Sequence, residues 1–369
     1  FKRALPQRRL RFPGRGSETK YREYPPGCEY AEIHLTHGPW RVTVLSMHRD
    51  PETAISALTA IYQAAVERVD PETMIGSRLA IDGNRLMIRS PESPENPLLY
   101  DLSEYRDIKV LGIGKGAVSM AAGVESIIGD RISDGLVSVK HKGRKRLRKI
   151  NVIEAGHPVP TENSVQAARE FLRMAEESDS RTLVIFLVSG GGSSLCALPW
   201  SRTGFPPALG LEEKQLVTRL LLESGAPIAD INCVRRHISE IKGGRLAEAL
   251  FPAHCLSLIL SDVIGDPLDS IASGPTVPDH STFRDAHRIL ESYRIWDSLP
   301  PGTRTLIHAG MEGHIPETPK PGNPIFDQVR NVLIGSNRIT LTAAAEKARE
   351  LGFSPILLSS AVTGEAREI

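Results

Sequence analysis

The pattern of apolar and polar positions along the chain predicts helices and strands in regular alternation. In residues 53–69, apolar side chains recur at the spacing of one helical face. Continuous apolar runs at 183–188 and 256–260 are typical of strands that are covered on both faces. The predicted helices are 53–69, 117–128, 163–177, 211–223 and 340–351, and the predicted strands are 109–113, 135–139, 183–188, 256–260, 331–334 and 355–358. This alternation favours an α/β fold with a doubly wound, mostly parallel sheet.

Two segments interrupt the alternation. Residues 90–97, rich in Pro, Ser and Asn, predict a loop, and residues 297–327, rich in Pro and Gly, predict a boundary loop. The single βαβ unit after that loop cannot bury both faces of a sheet of its own. We therefore expect a first domain at 53–297, a linker at 298–330, and at 331–369 the start of a second α/β domain that is truncated here or packs on the first.

Composition narrows the class of protein. The chain of 369 residues exceeds a typical single domain of roughly 100–200 residues. Its net charge of +1 weighs against a nucleic-acid binder, and no apolar run reaches the ~18 residues of a membrane span. The cysteines show neither C-x-x-C nor Cys/His ligand spacing; they are Cys28, Cys196, Cys233 and Cys255. These observations predict reduced thiols in an intracellular protein without structural zinc, and the cytoplasm as its compartment.

The first 46 residues differ from the rest of the chain. They begin at Phe1 rather than Met, and they carry six Lys or Arg residues before the first acid, Glu18. An Arg-rich, acid-poor segment is typical of a mitochondrial presequence, which makes the mitochondrion the alternative compartment. Scarce Ser and the lack of amphipathic periodicity favour a second interpretation, in which Met47 is the native start.

Glycine-rich turns follow three predicted strands at the ends where open parallel sheets bind ligands. The first strand runs into Lys115 between two glycines, and the third runs into a turn with three glycines between serines. Glycines allow close approach of backbone N–H groups to phosphate. We therefore predict a phosphate site at Ser189, Gly190, Gly191, Gly192, Ser193 and Ser194; the alternative is a tight strand-to-helix turn that binds nothing.

Charged residues at these strand ends are candidates for catalysis. The ammonium of Lys115 could reach a phosphate, although a solvated lysine fits as well and the Gly116 that follows rules out a Walker A motif. Asp262 and Asp266 flank Gly265 after the strand at 256–260. They could hold Mg²⁺ or accept a proton, or could serve as turn residues.

A basic segment follows between residues 232 and 246. On one helix, Arg235, Ser239 and Lys242 at i, i+4 and i+7 would share a face able to bind an anionic substrate; the alternative is a solvated basic face. His157 lies between Gly and Pro and is expected to be structural. The run 140–149 holds seven Lys or Arg residues and is expected to be a solvated loop.

Three other classes of protein compete for these motifs. Gly112-Ile113-Gly114 does not complete a dinucleotide fingerprint, because Ala117 stands at its last glycine and Lys140, not an acid, ends the second strand. This disfavours NAD but allows NADP. A serine hydrolase is disfavoured because Leu195 breaks Gly-x-Ser-x-Gly. A non-catalytic regulator that binds sugar phosphates would use the same anion sites.

Seven motifs in one order resemble the MOFRL-type glycerate kinases. They are Gly114–Ala117, Glu154–Pro160, Ser189–Ser194, Arg235–Leu246, Leu260–Asp266, Ala272–Thr276 and Ile334–Asn337. Together they cover about residues 53–369 and leave residues 1–46 outside the resemblance. The chain departs from the family in two ways: it lacks the further Gly-rich motifs of the second domain, and its loop after Val139 is unusually basic.

The resemblance implies a Rossmann-like first domain and phosphorylation of D-glycerate by ATP with Mg²⁺. It implies a catalytic or phosphate-binding role for Lys115, phosphate binding by Ser189–Ser194, and basic positions near the cleft for Arg235 and Lys242. We expect Arg235, Lys242 and Asn337 to bind the substrate. From chemistry alone we assign Asp262 to catalysis and Asp262 with Asp266 to Mg²⁺. We expect direct in-line transfer to 2-phosphoglycerate, with an NADPH-dependent hydroxypyruvate reductase as the alternative. The expected partner is D-glycerate, with neither nucleic acid nor membrane, and a homodimer stays open.

Overall fold

The computed structural model describes the backbone of four strands before residue 47, and residues 51–362 apart from 92, 144, 203, 205 and 206. The chain separates into two compact units. One comprises Phe1–Asp70 with Asn337–Ile369, and the other comprises Pro71–Ser336. Within the described part of the chain, no helix combines the length and apolar character that a membrane span requires.

The first unit contains an antiparallel sheet and two helices. Its strands, each paired with the next, are β1 (Gln7–Leu10), β2 (Glu18–Arg22), β3 (Ala31–His37) and β4 (Trp40–Ser46). Its helices are α1 (Pro51–Arg68) and α11 (Asn337–Glu350). The apolar face predicted for α1 is buried at Ile55, Leu58 and Ile61, and Arg68 pairs with Glu346 across the two helices at 3.0 Å.

The second unit is built on a six-stranded parallel sheet. Its strands are β8 (Asp107–Ile113), β9 (Asp134–Val139), β10 (Asn151–Glu154), β11 (Thr182–Val188), β12 (His254–Leu260) and β13 (Val329–Gly335). Their order across the sheet is β10-β9-β8-β11-β12-β13, so the order reverses between β8 and β11. This doubly wound arrangement confirms the predicted α/β fold, and it creates a crevice beyond the carboxyl ends of β8 and β11.

Helices cover this sheet and bury its strands. The connecting helices are α3 (Ala117–Ile128), α4 (Glu162–Glu176), α5 (Gly192–Leu195), α6 (Leu211–Glu223), α7 (Ile228–His237), α8 (Arg245–Leu250), α9 (Phe283–Ser292) and α10 (Pro301–Met311). All seven residues of β11 are buried, as its continuous apolar run predicts. Phe171 of α4 meets Phe186 of β11 edge to face, with ring centroids 6.3 Å apart. These contacts hold β11, and the turn after it, in one place.

A second core forms where the sequence predicts a boundary loop. Helices α6, α7, α9 and α10 enclose Trp200 and Phe283, both fully buried. A Cβ on Gly310 of α10 would lie 2.3 Å from the Phe283 ring, so this helix packs closely. The prediction of a loop at 297–327 is therefore wrong over residues 301–311. Proline at the first position of a helix, as at Pro301, starts a helix rather than breaking it.

A small antiparallel sheet also replaces a predicted loop. After α2 (Pro71–Arg78), strands β5 (Leu79–Asp82), β6 (Arg85–Ser90) and β7 (Ser93–Asp101) pair in that order. Most of the loop predicted at 90–97 is therefore strand. Strand β7 lies at the edge of its sheet, where proline is tolerated because one side of the strand has no neighbour to pair with.

The last predicted strands meet different outcomes. Strand β13, expected to begin a second domain at residue 331, instead pairs parallel with β12 at the edge of the main sheet. The strand predicted at 355–358 is wrong, because this segment pairs with no described strand and leaves Ile356 83% and Leu358 90% exposed. An apolar run becomes a strand only where a neighbour satisfies its backbone hydrogen bonds.

Candidate functional site

The turns after β8 and β11 are bonded to each other at the point where the strand order reverses. Lys115 N donates to Gly190 O at 2.9 Å, and Gly116 N donates to the Ser189 hydroxyl at 3.0 Å. Gly114 has φ +118°, and a Cβ there would lie 2.3 Å from Ser189 O. Because only glycine fits, the two turns form a single structure at the crevice.

The turn after β12 brings a carboxylate to the same place. A Cβ on Gly190 would lie 1.9 Å from Asp262 Oδ2, so the missing side chain lets the exposed Asp262 contact the glycine backbone. On the other side, a Cβ on Gly191 would lie 2.8 Å from His157 Nε2 and 3.3 Å from Lys115 Cε. The structure therefore brings Lys115, His157 and Asp262 together around two glycines.

The sequence predicts a structural role for His157, but the structure places its ring beside the glycine turn. It lies half-buried on the loop after β10, three residues beyond Glu154. Burial lowers its pKa below the usual value, Lys115 and Lys140 lower it further, and Asp262 opposes them. The signal available in the sequence was position, because His157 follows the end of a parallel strand just as Lys115 and Asp262 do.

The glycine turn offers free backbone donors. In the described part of the chain, the N–H groups of Gly190 and Gly191 donate to no backbone carbonyl. Gly191 has φ +85°, a left-handed conformation in which successive backbone N–H groups can converge on an anion. Two free donors beside the Lys115 ammonium can hold a phosphate.

Behind this turn runs a chain of polar contacts that ends at Arg235. Ser193 Oγ lies 2.8 Å from Ser273 Oγ, which in turn donates to Asn232 Oδ1 at 3.0 Å. Arg235 approaches the same Asn232 oxygen at 3.5 Å, and its buried Nε has no hydrogen-bond partner. Among the described residues no carboxylate pairs with Arg235, and burial lowers its pKa to about 10. Such a guanidinium is suited to bind an anion.

Lys242 lies elsewhere than predicted. Helix α7 ends at His237, so Arg235, Ser239 and Lys242 do not share a helical face. Ser239 bonds to Leu198 O, and Lys242 Nζ donates to Ser193 O at 2.8 Å and Cys196 O at 3.2 Å. The predicted face fails because Ile238 and the residues after it leave the helix to pair with the turn that follows Leu198.

Carboxylate oxygens are available for a cation. Asp266 has φ +53°, and its Oδ1 is buried without a hydrogen-bond partner. Within the described residues no group of three or more His, Cys, Asp or Glu side chains forms a metal cage. Mg²⁺ commonly uses only one or two carboxylates and keeps its waters. The exposed Asp262 carboxylate and the unpartnered Asp266 oxygen are candidate ligands of that kind.

The remaining predicted residues divide into three groups. Asn337 belongs to the other compact unit, where its Nδ2 donates to Ser360 O at 2.8 Å, and its substrate role stays a prediction. The described cations of the basic run 140–149 are exposed. The backbone at the end of this run is fixed by hydrogen bonds from the N–H groups of Arg148 and Lys149 to the Glu125 carboxylate. Cys196, Cys233 and Cys255 are buried free thiols, while Cys28 lies outside the described residues.

The strand order, the paired glycine turns and the adjoining Lys115 and Asp262 define a doubly wound α/β protein with a candidate anion site at its switch point. The chain belongs to the family described as Domain of unknown function (DUF4147), whose model matches residues 57–308. Its relatives confirm the resemblance to glycerate kinases that the motifs indicate.

Three known proteins illustrate the similarity. A protein of Pyrococcus horikoshii named glycerate 2-kinase is 38% identical over 82% of this chain and 64% of its own. A protein of Agrobacterium vitis named putative hydroxypyruvate reductase is 36% identical over 86% of this chain and 64% of its own. The crystal structure of a glycerate kinase from Thermotoga maritima, 34% identical, matches 82% of this chain and 64% of its own with a TM-score of 0.66. The chain thus spans less than two thirds of these proteins.

Proposed function

We propose that the protein is an ATP-dependent kinase that phosphorylates D-glycerate, with 2-phosphoglycerate as the product. The observation that carries the proposal is the meeting of Lys115, the Ser189–Ser194 turn and Asp262 at the switch point. Relatives named glycerate kinase, over most of this chain, support the choice of substrate and imply ATP as the phosphoryl donor.

The glycine turn and Lys115 would hold the phosphoryl group during transfer. Phosphoryl transfer depends mainly on positioning and on stabilising charge, so backbone N–H donors and a fixed ammonium suit it. His157, which lies over Gly191, would donate a hydrogen bond to the same group. Arg235 would bind the glycerate carboxylate, since it is a cation without an acid partner among the described residues.

Asp262 and Asp266 would hold Mg²⁺. When bound, the ion supplies positive charge that neutralises charge developing on the phosphoryl oxygens. Their carboxylates would also orient the substrate hydroxyl, with Asp262 as the proton acceptor. No covalent intermediate on the protein is needed for direct in-line transfer.

The deciding assay couples ADP release to a colour change, with D-glycerate and Mg-ATP as substrates. It is run on the 369-residue chain, with glycerate omitted as the control. Glycerate-dependent ADP release supports the kinase, and analysis of the product by NMR distinguishes 2- from 3-phosphoglycerate.

A hydroxypyruvate reductase is the second candidate, favoured by the name of the Agrobacterium vitis relative. A parallel assay follows NADPH oxidation with hydroxypyruvate. NADPH consumption without any ADP release would replace the kinase by the reductase. Neither turnover, with tight binding of phosphate compounds, would favour a non-catalytic regulator.

A further inference from the structure

The segment Lys242-Gly243-Gly244 touches two separate loops of the site. Its lysine donates to Ser193 O of the short helix α5 and to Cys196 O, the residue that ends this helix. Its glycines donate from their N–H groups to the second loop, Gly243 to Ser273 O at 3.1 Å and Gly244 to Gly274 O at 2.8 Å. Three consecutive residues thus bind both loops at once.

The backbone of this segment requires glycine. Gly243 and Gly244 have φ +59° and +80°, in the left-handed region. A Cβ on Gly244 would lie 2.9 Å from the Phe326 ring. The segment is therefore held in one conformation, and the Lys242 side chain, 1% exposed, extends from a fixed base.

The second loop needs such support. Ala272 and Ser273 have φ +52° and +61°, values that residues other than glycine rarely adopt. Strained backbone persists only where its surroundings hold it. Here the holding contacts come from Gly243, Gly244 and the 2.8 Å contact between Ser273 and Ser193.

Among the described residues no carboxylate forms an ion pair with Lys242. The groups that face it are Arg235 of α7, Lys214 of α6 and the Cys196 thiol. Burial and then Arg235 lower its pKa to about 7, against a small opposing effect of Cys196. A buried cation beside other cations lowers stability, so its contacts to the two carbonyls need another explanation.

We propose that Lys242 is a positioning residue. Its ammonium holds the glycine turn, residues 189–194, in place against the loop at 271–276, and thereby fixes the backbone N–H groups that would bind phosphate. It acts through the backbone carbonyls of Ser193 and Cys196 and not by contact with substrate. The kinetic consequences rest on the proposed kinase activity, whereas the link between the two loops does not.

The first test is hydrogen exchange on the protein. Lys242→Met keeps the length of the side chain but removes the ammonium. Lys214→Met is the matched control, because Lys214 is also buried, at 2% exposed, and donates to Ile238 O at 2.9 Å, away from the glycine turn. We expect amide exchange at 189–196 and 271–276 to rise at least tenfold in the Lys242 variant alone.

The second test is kinetic. Displacing reacting groups by about 1 Å can cost on the order of 100-fold in rate. We expect Lys242→Met to lose about 100-fold in kcat with less than threefold change in either KM. We expect Lys214→Met to stay within threefold of the wild type.

The third test is the pH profile of kcat/KM, which reports on groups of the free enzyme. With a pKa of about 7, the ammonium is present below pH 7 and is lost above it. The wild-type kcat/KM should fall as pH rises through 7, and this fall should be absent in Lys242→Arg, which stays charged. That variant also decides the question if Lys242→Met does not fold.

Unchanged exchange at 189–196 in a folded Lys242→Met variant would overturn the proposal, as would equal losses in the Lys242 and Lys214 variants. The same fall above pH 7 in Lys242→Arg would also overturn it. If the wild type shows no kinase activity, the proposed function fails, but the exchange experiment still tests the link between the loops.

Discussion

Two neighbouring arginines of α7 have opposite surroundings. Arg236 Nε lies 3.0 Å from Asp279 Oδ1, a carboxylate with no exposed side-chain surface, and the Arg236 guanidinium also donates to Asp269 O and Ser281 Oγ. Arg235 has no carboxylate partner among the described residues. The sequence Arg-Arg cannot distinguish them, because the partners of Arg236 lie 33 to 45 residues further along the chain. We infer that one arginine serves the fold and the other serves a ligand.

The largest expected effect comes from breaking the pair. Arg236→Met leaves Asp279 charged and buried, which costs about 3–5 kcal/mol in free energy of unfolding. Urea denaturation followed by circular dichroism measures the loss. The double variant Arg236→Met/Asp279→Leu should recover most of it, since an apolar pair needs no compensating charge. A loss below about 1 kcal/mol would mean that the pair contributes little to stability.

Lys115 extends the comparison to the exposed side of the site. Lys115→Ala should lower kcat by about 10²–10³-fold, the cost of removing one group that stabilises developing charge. Its Tm should stay within about 1 °C, since Lys115 is exposed. Steady-state kinetics and thermal melts check both expectations, with the exposed Lys149→Ala as the control. Near-normal turnover would remove Lys115 from the mechanism.

Replacing Arg235 should weaken substrate binding without lowering stability, the reverse of the result expected for Arg236. Arg235→Gln should raise KM for glycerate about 10–100-fold, in line with about 1.5–3 kcal/mol for a hydrogen bond to a charged group. Stability should hold or improve, because an unpaired cation is removed from a buried site. Arg219→Gln, an exposed substitution on α6, serves as the control. A loss of stability without any change in KM would assign Arg235 to the fold instead.

The smallest effect concerns the contact between Glu317 and His237, the basic residue that follows Arg235 and Arg236 on α7. His237 Nε2 lies 3.2 Å from Glu317 Oε2. Burial alone would raise the pKa of Glu317, but the His237 contact and the Phe283 N–H lower it to about 2. The folded-state pKa lies below the unfolded value, so Glu317 stabilises the fold above pH 4.5 and loses that effect as pH falls toward 2. Glu317→Gln should flatten this part of the stability profile, measured by melts from pH 5 to 2.5. An unchanged slope would show that other acids determine it.

Local signals made much of the fold predictable. Helices α3 and α6 begin and end at the residues that periodicity and glycine placement indicate. The continuous apolar run predicts strand β11, and the glycines directly after it predict the turn at its end. Each of these features depends on residues within a few positions of one another.

The rest depended on contacts between distant residues. His157 meets Gly191, and Lys242 meets Ser193, across gaps of more than 30 residues that no periodicity records. The prediction of a loop is wrong at helix α10, because its prolines and glycines, typical of loops, here begin a helix and allow close packing on Phe283. The prediction of a strand at 355–358 is wrong because this segment has the apolar run of a strand but no described neighbour to pair with.

The reversal of strand order between β8 and β11 also bears on synthesis. Strand β8 leaves the ribosome well before β11, its partner on the inner edge. At about 5–20 residues per second, the wait lasts roughly 4–15 s. During that time the nascent chain presents an apolar strand edge with unpaired N–H and C=O groups, which neighbouring chains can pair with. The geometry that creates the crevice therefore leaves this edge of β8 without its partner until β11 has left the ribosome.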